Sequence, residues 1–113
     1  MSEKILINTD VDLPIQASVC ALVNDRGELV IDYTYEDDEE SSSDFRRAAI
    51  VDREDTLEMA KYYGVQVEQL PQLLYDECGV AYDSVPSDVE RVFQDVLNFI
   101  LESGVRYKFR DVI

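Results

Sequence analysis

Residues 15 to 23 set Ile15, Ala17, Val19, Ala21 and Val23 against Gln16, Ser18, Cys20 and Leu22. Residues 28 to 36 repeat the pattern, with Leu29, Ile31, Tyr33 and Tyr35 against Glu28, Val30, Asp32 and Thr34. Alternation with period two is the spacing of a strand, because successive side chains of extended backbone point to opposite faces. Between the runs stands Asn24-Asp25-Arg26-Gly27, whose Asx side chains start a turn and whose glycine takes the left-handed position that closes a short loop. The pair is an antiparallel hairpin with one buried face.

Three helical patterns further along the chain supply the cover for that face. Residues 54 to 63 read as a helix with Leu57, Ala60, Tyr63 and Met59 inward, acids in the first turn and Gly64 as the stop. Residues 67 to 78 read as a second helix through Val67, Leu70, Leu73 and Leu74, with Pro71 held to its first turn and Gly79 at its end. A third helix begins at Ser87-Asp88-Val89-Glu90, read as a capping box after Pro86. It continues through Val89, Val92, Phe93, Val96, Leu97 and Ile100 at helical spacing and closes at Gly104. Residues 45 to 51, with Ala48, Ala49, Ile50 and Val51 in a row, read as a strand returning along the second, a short helix being the competing reading.

At the C-terminus Val105, Tyr107 and Phe109 face one way and Arg106, Lys108 and Arg110 the other, a last strand that rejoins the sheet. Its basic face matches Glu28 and Asp32, which predicts cross-strand ion pairs with the second strand. Residues 1 to 13 carry no clear period and read as an irregular N-terminal segment. The predicted fold class is therefore α+β: an antiparallel sheet of about four strands in β-β-β-α-α-α-β order, with three helices packed on one face. At 113 residues a single domain is expected.

Charge decides which partners such a domain can meet. The net charge is −15, from 25 acids and 10 bases. Residues 1 to 53 hold 13 acids and 5 bases, residues 54 to 104 hold 11 and 2, and residues 105 to 113 hold 1 and 3. A negative helical middle repels phosphate backbones and anionic lipid and attracts basic proteins, so neither nucleic acid nor membrane is an expected partner. No apolar stretch approaches the ~18 residues of a membrane span, and Met1-Ser2-Glu3-Lys4 does not open a signal peptide, so a cytoplasmic location is expected. Cys20 and Cys78, expected on buried faces of a strand and a helix, lie too far apart in sequence to suggest a disulfide or metal framework.

Absences narrow the chemistry further. Without histidine, Ser-His-Asp and Cys-His catalysis and His-containing metal sites are excluded. The four glycines are too dispersed for a phosphate-cradling loop, and no cofactor is implied. Asn8, Asp10 and Asp12 have the alternate spacing that opens a calcium-binding loop, but Leu13 stands where that loop needs glycine and Val19 where it needs glutamate. Ala60, Gly64 and Leu70 match a helix-turn-helix spacing, but the second helix offers Gln66, Glu68, Gln69, Gln72, Asp76 and Glu77 and no cation for phosphate.

The reading that remains is a non-catalytic acidic interaction module that binds a basic protein, in the manner of an inhibitor, an immunity-type protein or a nucleic-acid mimic. Expected contact residues are Glu36, Asp37, Asp38, Glu39 and Glu40, the start of an acidic loop over 36–44 with Ser41, Ser42 and Ser43, together with Tyr62, Glu68, Tyr75, Asp76, Glu77 and Tyr82. A small carboxylate-based metal-dependent enzyme and a helix-turn-helix-like regulator using residues 57–78 are the alternatives. Free sheet edges leave a homo-oligomer open.

Overall fold

In the computed structural model, which describes residues 3–9, 14–37, 45–79 and 86–111, five antiparallel strands lie side by side in chain order, β1-β2-β3-β4-β5. They are β1 (Glu3–Asn8), β2 (Ile15–Val23), β3 (Leu29–Asp37), β4 (Phe45–Val51) and β5 (Lys108–Asp111). Helices α1 (Arg53–Tyr63), α2 (Leu70–Cys78) and α3 (Pro86–Glu102) intervene between β4 and β5, and a short 3-10 turn at Val67–Gln69 leads into α2. The fold is α+β, with the helices packed against the sheet.

The hairpin forms as its alternation predicts, with β2 and β3 paired along their whole length from Ile15↔Asp37 to Val23↔Leu29. Asn24 organises the turn: its Oδ1 accepts the amide protons of Arg26 and Glu28, each at 3.0 Å, and Gly27 sits at φ 79°. The core face presents Ala17, Val19 and Ala21 from β2, Leu29, Ile31 and Tyr33 from β3, and Ala49 and Val51 from β4, all buried. Over them lies the stripe of α3, Val89, Val92, Phe93, Val96, Leu97 and Ile100, joined by Met59, Leu70 and Leu74. Tyr33 joins the two layers through Phe93 of α3, at 5.0 Å between ring centroids, and packs on Phe45 of the neighbouring strand at 5.1 Å.

Several sequence expectations are corrected. The irregular N-terminal segment contains a strand: Glu3–Asn8 pairs with β2, and a bulge between Ile5 and Ile7 turns both Leu6 and Ile7 inward, which is why no period of two is visible there. Thr9 continues this edge, its hydroxyl accepting the Ala17 amide at 3.1 Å. Residues 45 to 51, by contrast, form the strand expected of them, and the competing helix is not seen. Glu36 and Asp37, expected in the acidic loop, belong to β3 and pair with Gln16 and Ile15. Asp38, Glu39, Glu40 and the serines after them lie outside the described residues.

The first helix is rotated relative to its predicted face. Asp52 caps it, accepting the Asp55 amide at 2.8 Å. One turn in, the buried Thr56 hydroxyl accepts the Leu29 amide at 3.1 Å and donates to the carbonyls of Val51 and Asp52. Tying Thr56 to the sheet turns Met59 and Ala60 inward and leaves Leu57 47% exposed. In α3 the helix already begins at Pro86, so Ser87 lies inside the first turn rather than at a cap, and Asp88 there meets Arg91 at 3.1 Å.

β5 joins the sheet beside β4, with Ile50↔Lys108 and Arg47↔Asp111. The expected ion pairs between the C-terminal bases and β3 are therefore not formed, since β4 stands between them. Asp32 is held instead by Arg46 of β4, a fork of 2.8 and 3.2 Å on the sheet face opposite the helices. That pairing keeps the Arg46 guanidinium charged, raising its pKa through the hydrogen bonds and charge of Asp32.

Candidate interaction face

The outer surfaces of the helices carry acids with few cations among them. From Arg53 to Tyr63, Val67 to Cys78 and Pro86 to Glu102 there are ten acids, Glu54, Asp55, Glu58, Glu68, Asp76, Glu77, Asp88, Glu90, Asp95 and Glu102, against Arg53, Lys61 and Arg91. Lys61 lies 3.9 Å from Glu58, and Arg91 pairs with Asp88, so two of the three bases are already matched on their own helices. α2 has no base.

The acids converge where the C-terminal ends of α1 and α2 meet the last turns of α3. Tyr63 is fixed there by its ring, stacked on Phe99 at 4.2 Å between centroids, and by its hydroxyl, which donates to the Phe99 carbonyl at 2.5 Å. Tyr62 stands edge-on to Tyr63 at 4.8 Å and is 62% exposed. Burial, with Glu102, Tyr62, Cys78 and Glu77 nearby, pushes the Tyr63 phenol up to about 12. Burial, with Asp95, Glu77 and Glu102 nearby, pushes the Cys78 thiol up to about 11. Glu77 and Glu102 thus act on both the packed aromatic pair and the half-buried thiol, and Asp95 on the thiol. The thiol is protonated at neutral pH and is a poor nucleophile there.

Five of the eleven expected contact residues, Tyr62, Glu68, Tyr75, Asp76 and Glu77, fall on these helices. Tyr62, Glu68, Asp76 and Glu77 are exposed, with Asp76 accepting a hydrogen bond from Gln72 at 2.8 Å. Tyr75 is half-buried, and the Lys4 ammonium of β1 lies over its ring at 4.9 Å, so its face already has a cation. Glu36 and Asp37 end β3 and belong to the sheet, not to the helical face. Tyr82 lies outside the described residues. Sequence reasoning missed Tyr63, Asp95, Phe99 and Glu102. Their signal was present, since Asp95, Phe99 and Glu102 fall at i, i+4 and i+7 on one side of α3.

The cysteines are both half-buried; Cys78 packs against the core as expected, whereas Cys20 lies on the sheet face away from the helices. Burial, with Glu3 and Asp32 close by, raises its pKa. A cleft of about 590 Å³ is lined by Glu28, Asp52 and Asp55 together with Arg106, Lys108 and Arg110, where α1 begins and β5 runs along β4. Among the described residues, no three of its acids or of any others are grouped to hold a metal ion. Nor does any described helix have the length and apolarity to cross a membrane. Comparisons with protein-family models, with curated proteins and with solved structures each found no match.

Proposed function

We propose that this protein is a non-catalytic cytoplasmic interaction module whose acidic helical face binds a basic protein. The observation that carries the reading is the excess of acids on the helices, with Glu77 and Glu102 acting on both Tyr63 and Cys78, Asp95 acting on Cys78, and no base on α2 to offset them. A field of one sign steers an oppositely charged protein into encounter and rejects nucleic acid. Tyr62 supplies an exposed ring beside those charges, the pairing that makes strong contact points at interfaces. The helices rest on a packed sheet, so the charges are held in place rather than on a mobile tail. A partner whose own site is basic, such as a nuclease covered by an inhibitor or immunity-type protein, has the complementary chemistry.

The test is an amide chemical-shift titration with a small basic globular protein, lysozyme, as probe at low salt. Shifts are expected at Tyr62, Glu77, Asp95 and Glu102, and the triple variant Glu77→Lys, Asp95→Lys, Glu102→Lys should weaken binding by about a hundredfold or more while leaving the fold intact. Binding that survives the triple variant, or shifts centred on the open sheet face, would remove the reading.

A further inference from the structure

The bases of the C-terminal segment are gathered along β5, which follows α3 after a link of five residues, 103–107. Strand order ends at β5, so among the described residues one edge of that strand has no neighbour and leaves its main-chain donors and acceptors on that side without a strand partner. Along one face of this edge stand Arg106, Lys108 and Arg110, all exposed and lining the same cleft, with no ion pair among the described residues. On the other face Phe109 is 51% exposed, its ring 5.2 Å from that of Tyr107 and 5.4 Å from the Arg47 guanidinium.

From these observations we infer that β5 is an acceptor edge for an extended acidic segment of another protein, which adds as a sixth strand with carboxylates opposite Lys108 and Arg110. An added strand satisfies the open edge by main-chain hydrogen bonds, and its alternate side chains are read by the two faces. Directly opposed residues in a sheet share a face, so acids on the incoming strand meet Lys108 and Arg110 while the residues between them lie beside Phe109. The same rule disfavours a second copy at this edge. Two β5 strands paired with each other set a cation of one copy across from a cation of the other, and β1, the opposite edge, is broken by its bulge. Asp52 and Asp55 lie beyond Ile50, the residue paired with Lys108, so the ligand is neutral or basic where it runs past Lys108 toward α1.

The probe is a short capped peptide with glutamate at alternate positions and threonine or valine between, titrated into the full chain at low salt. Expected are shifts and slowed hydrogen exchange at the β5 amides, and loss of binding when one of the two alternating sets of peptide amides is N-methylated but not the other. In the variant Lys108→Glu, Arg110→Glu, with its fold checked by circular dichroism, affinity for the glutamate peptide should fall about tenfold or more and a lysine counterpart should bind instead. The inference is overturned by absence of binding at millimolar peptide. It is equally overturned by indifference to both N-methylated forms, which marks simple ion pairing, and by β5 shifts that track protein concentration without peptide, which mark a second copy. The methylated peptides decide the matter even where the double variant fails to fold.

Discussion

The helical wall and the β5 edge differ in sign of charge, and they differ as much in how they are anchored. Behind the wall lies the full apolar stripe of α3, six buried side chains across the sheet from the hairpin core. Behind β5 there is a four-residue pairing with β4 and a half-exposed phenylalanine. Acidic charge is therefore carried on the stable part of the molecule and basic charge on the part that opens most cheaply. A rigid charged wall preserves its field for recognition at a distance, whereas a lightly held edge can adjust to a strand that joins it.

The sharpest way to break this contrast is to cut one apolar side chain from each side. Ile100→Ala, in the stripe behind the wall, should lose about 2–5 kcal/mol of unfolding free energy in urea. Phe109→Ala at the edge should lose about 1 kcal/mol, since half of that ring is already in water. Equal losses would mean that β5 is as firmly built as the helices. Next in size, Thr56→Val leaves the buried Leu29 amide without its acceptor and should lose about 1–3 kcal/mol, with hydrogen exchange accelerated first where α1 meets β3.

Alkaline pH probes the wall's own titratable groups. Tyr33, held up by burial with Glu90 and Tyr35 nearby, stands at about 12, as does Tyr63, and Cys78 stands at about 11, against ordinary values of 10.0 for the phenols and 9.0 for the thiol. In the unfolded chain these groups release protons first, so their contribution to stability is complete below about pH 9 and is lost as pH rises to about 12. Thermal melts across that window should fall in temperature, and Tyr63→Phe should fall less steeply because one of the groups is gone. The smallest effect belongs to the open sheet face. Asp32→Asn should change stability by about 0–1 kcal/mol, as expected for a surface pair whose arginine is 47% exposed.

How much of this was legible depends on which forces act locally. The hairpin was, because alternation and the Asn24 turn are consecutive in sequence, and so was α3, whose stripe is longer than any competing pattern. β1 was not, because its bulge destroys the period that identifies a strand. The rotation of α1 was hidden too, since it depends on the Thr56 hydroxyl reaching Leu29, a partner 27 residues away. At the wall, Glu68, Asp76 and Glu77 were legible as exposed acids. The cluster was not, because Tyr63, Cys78, Asp95 and Glu102 come from three helices that only the fold brings together. The position of β5 was misjudged for a similar reason: its bases match acids on β3 by charge, but edge-to-edge pairing with β4 decides where it lies.

The account depends on a surface potential that is negative over the helices and positive along β5. Paired paramagnetic relaxation measurements with a cationic and an anionic nitroxide read that potential amide by amide. The cationic probe should relax the amides of Glu77, Asp95 and Glu102 more strongly than the anionic one, with the order reversed at Lys108 and Arg110. The same ratio on the helices and along β5, or a preference for the anionic probe on the helices, would contradict it.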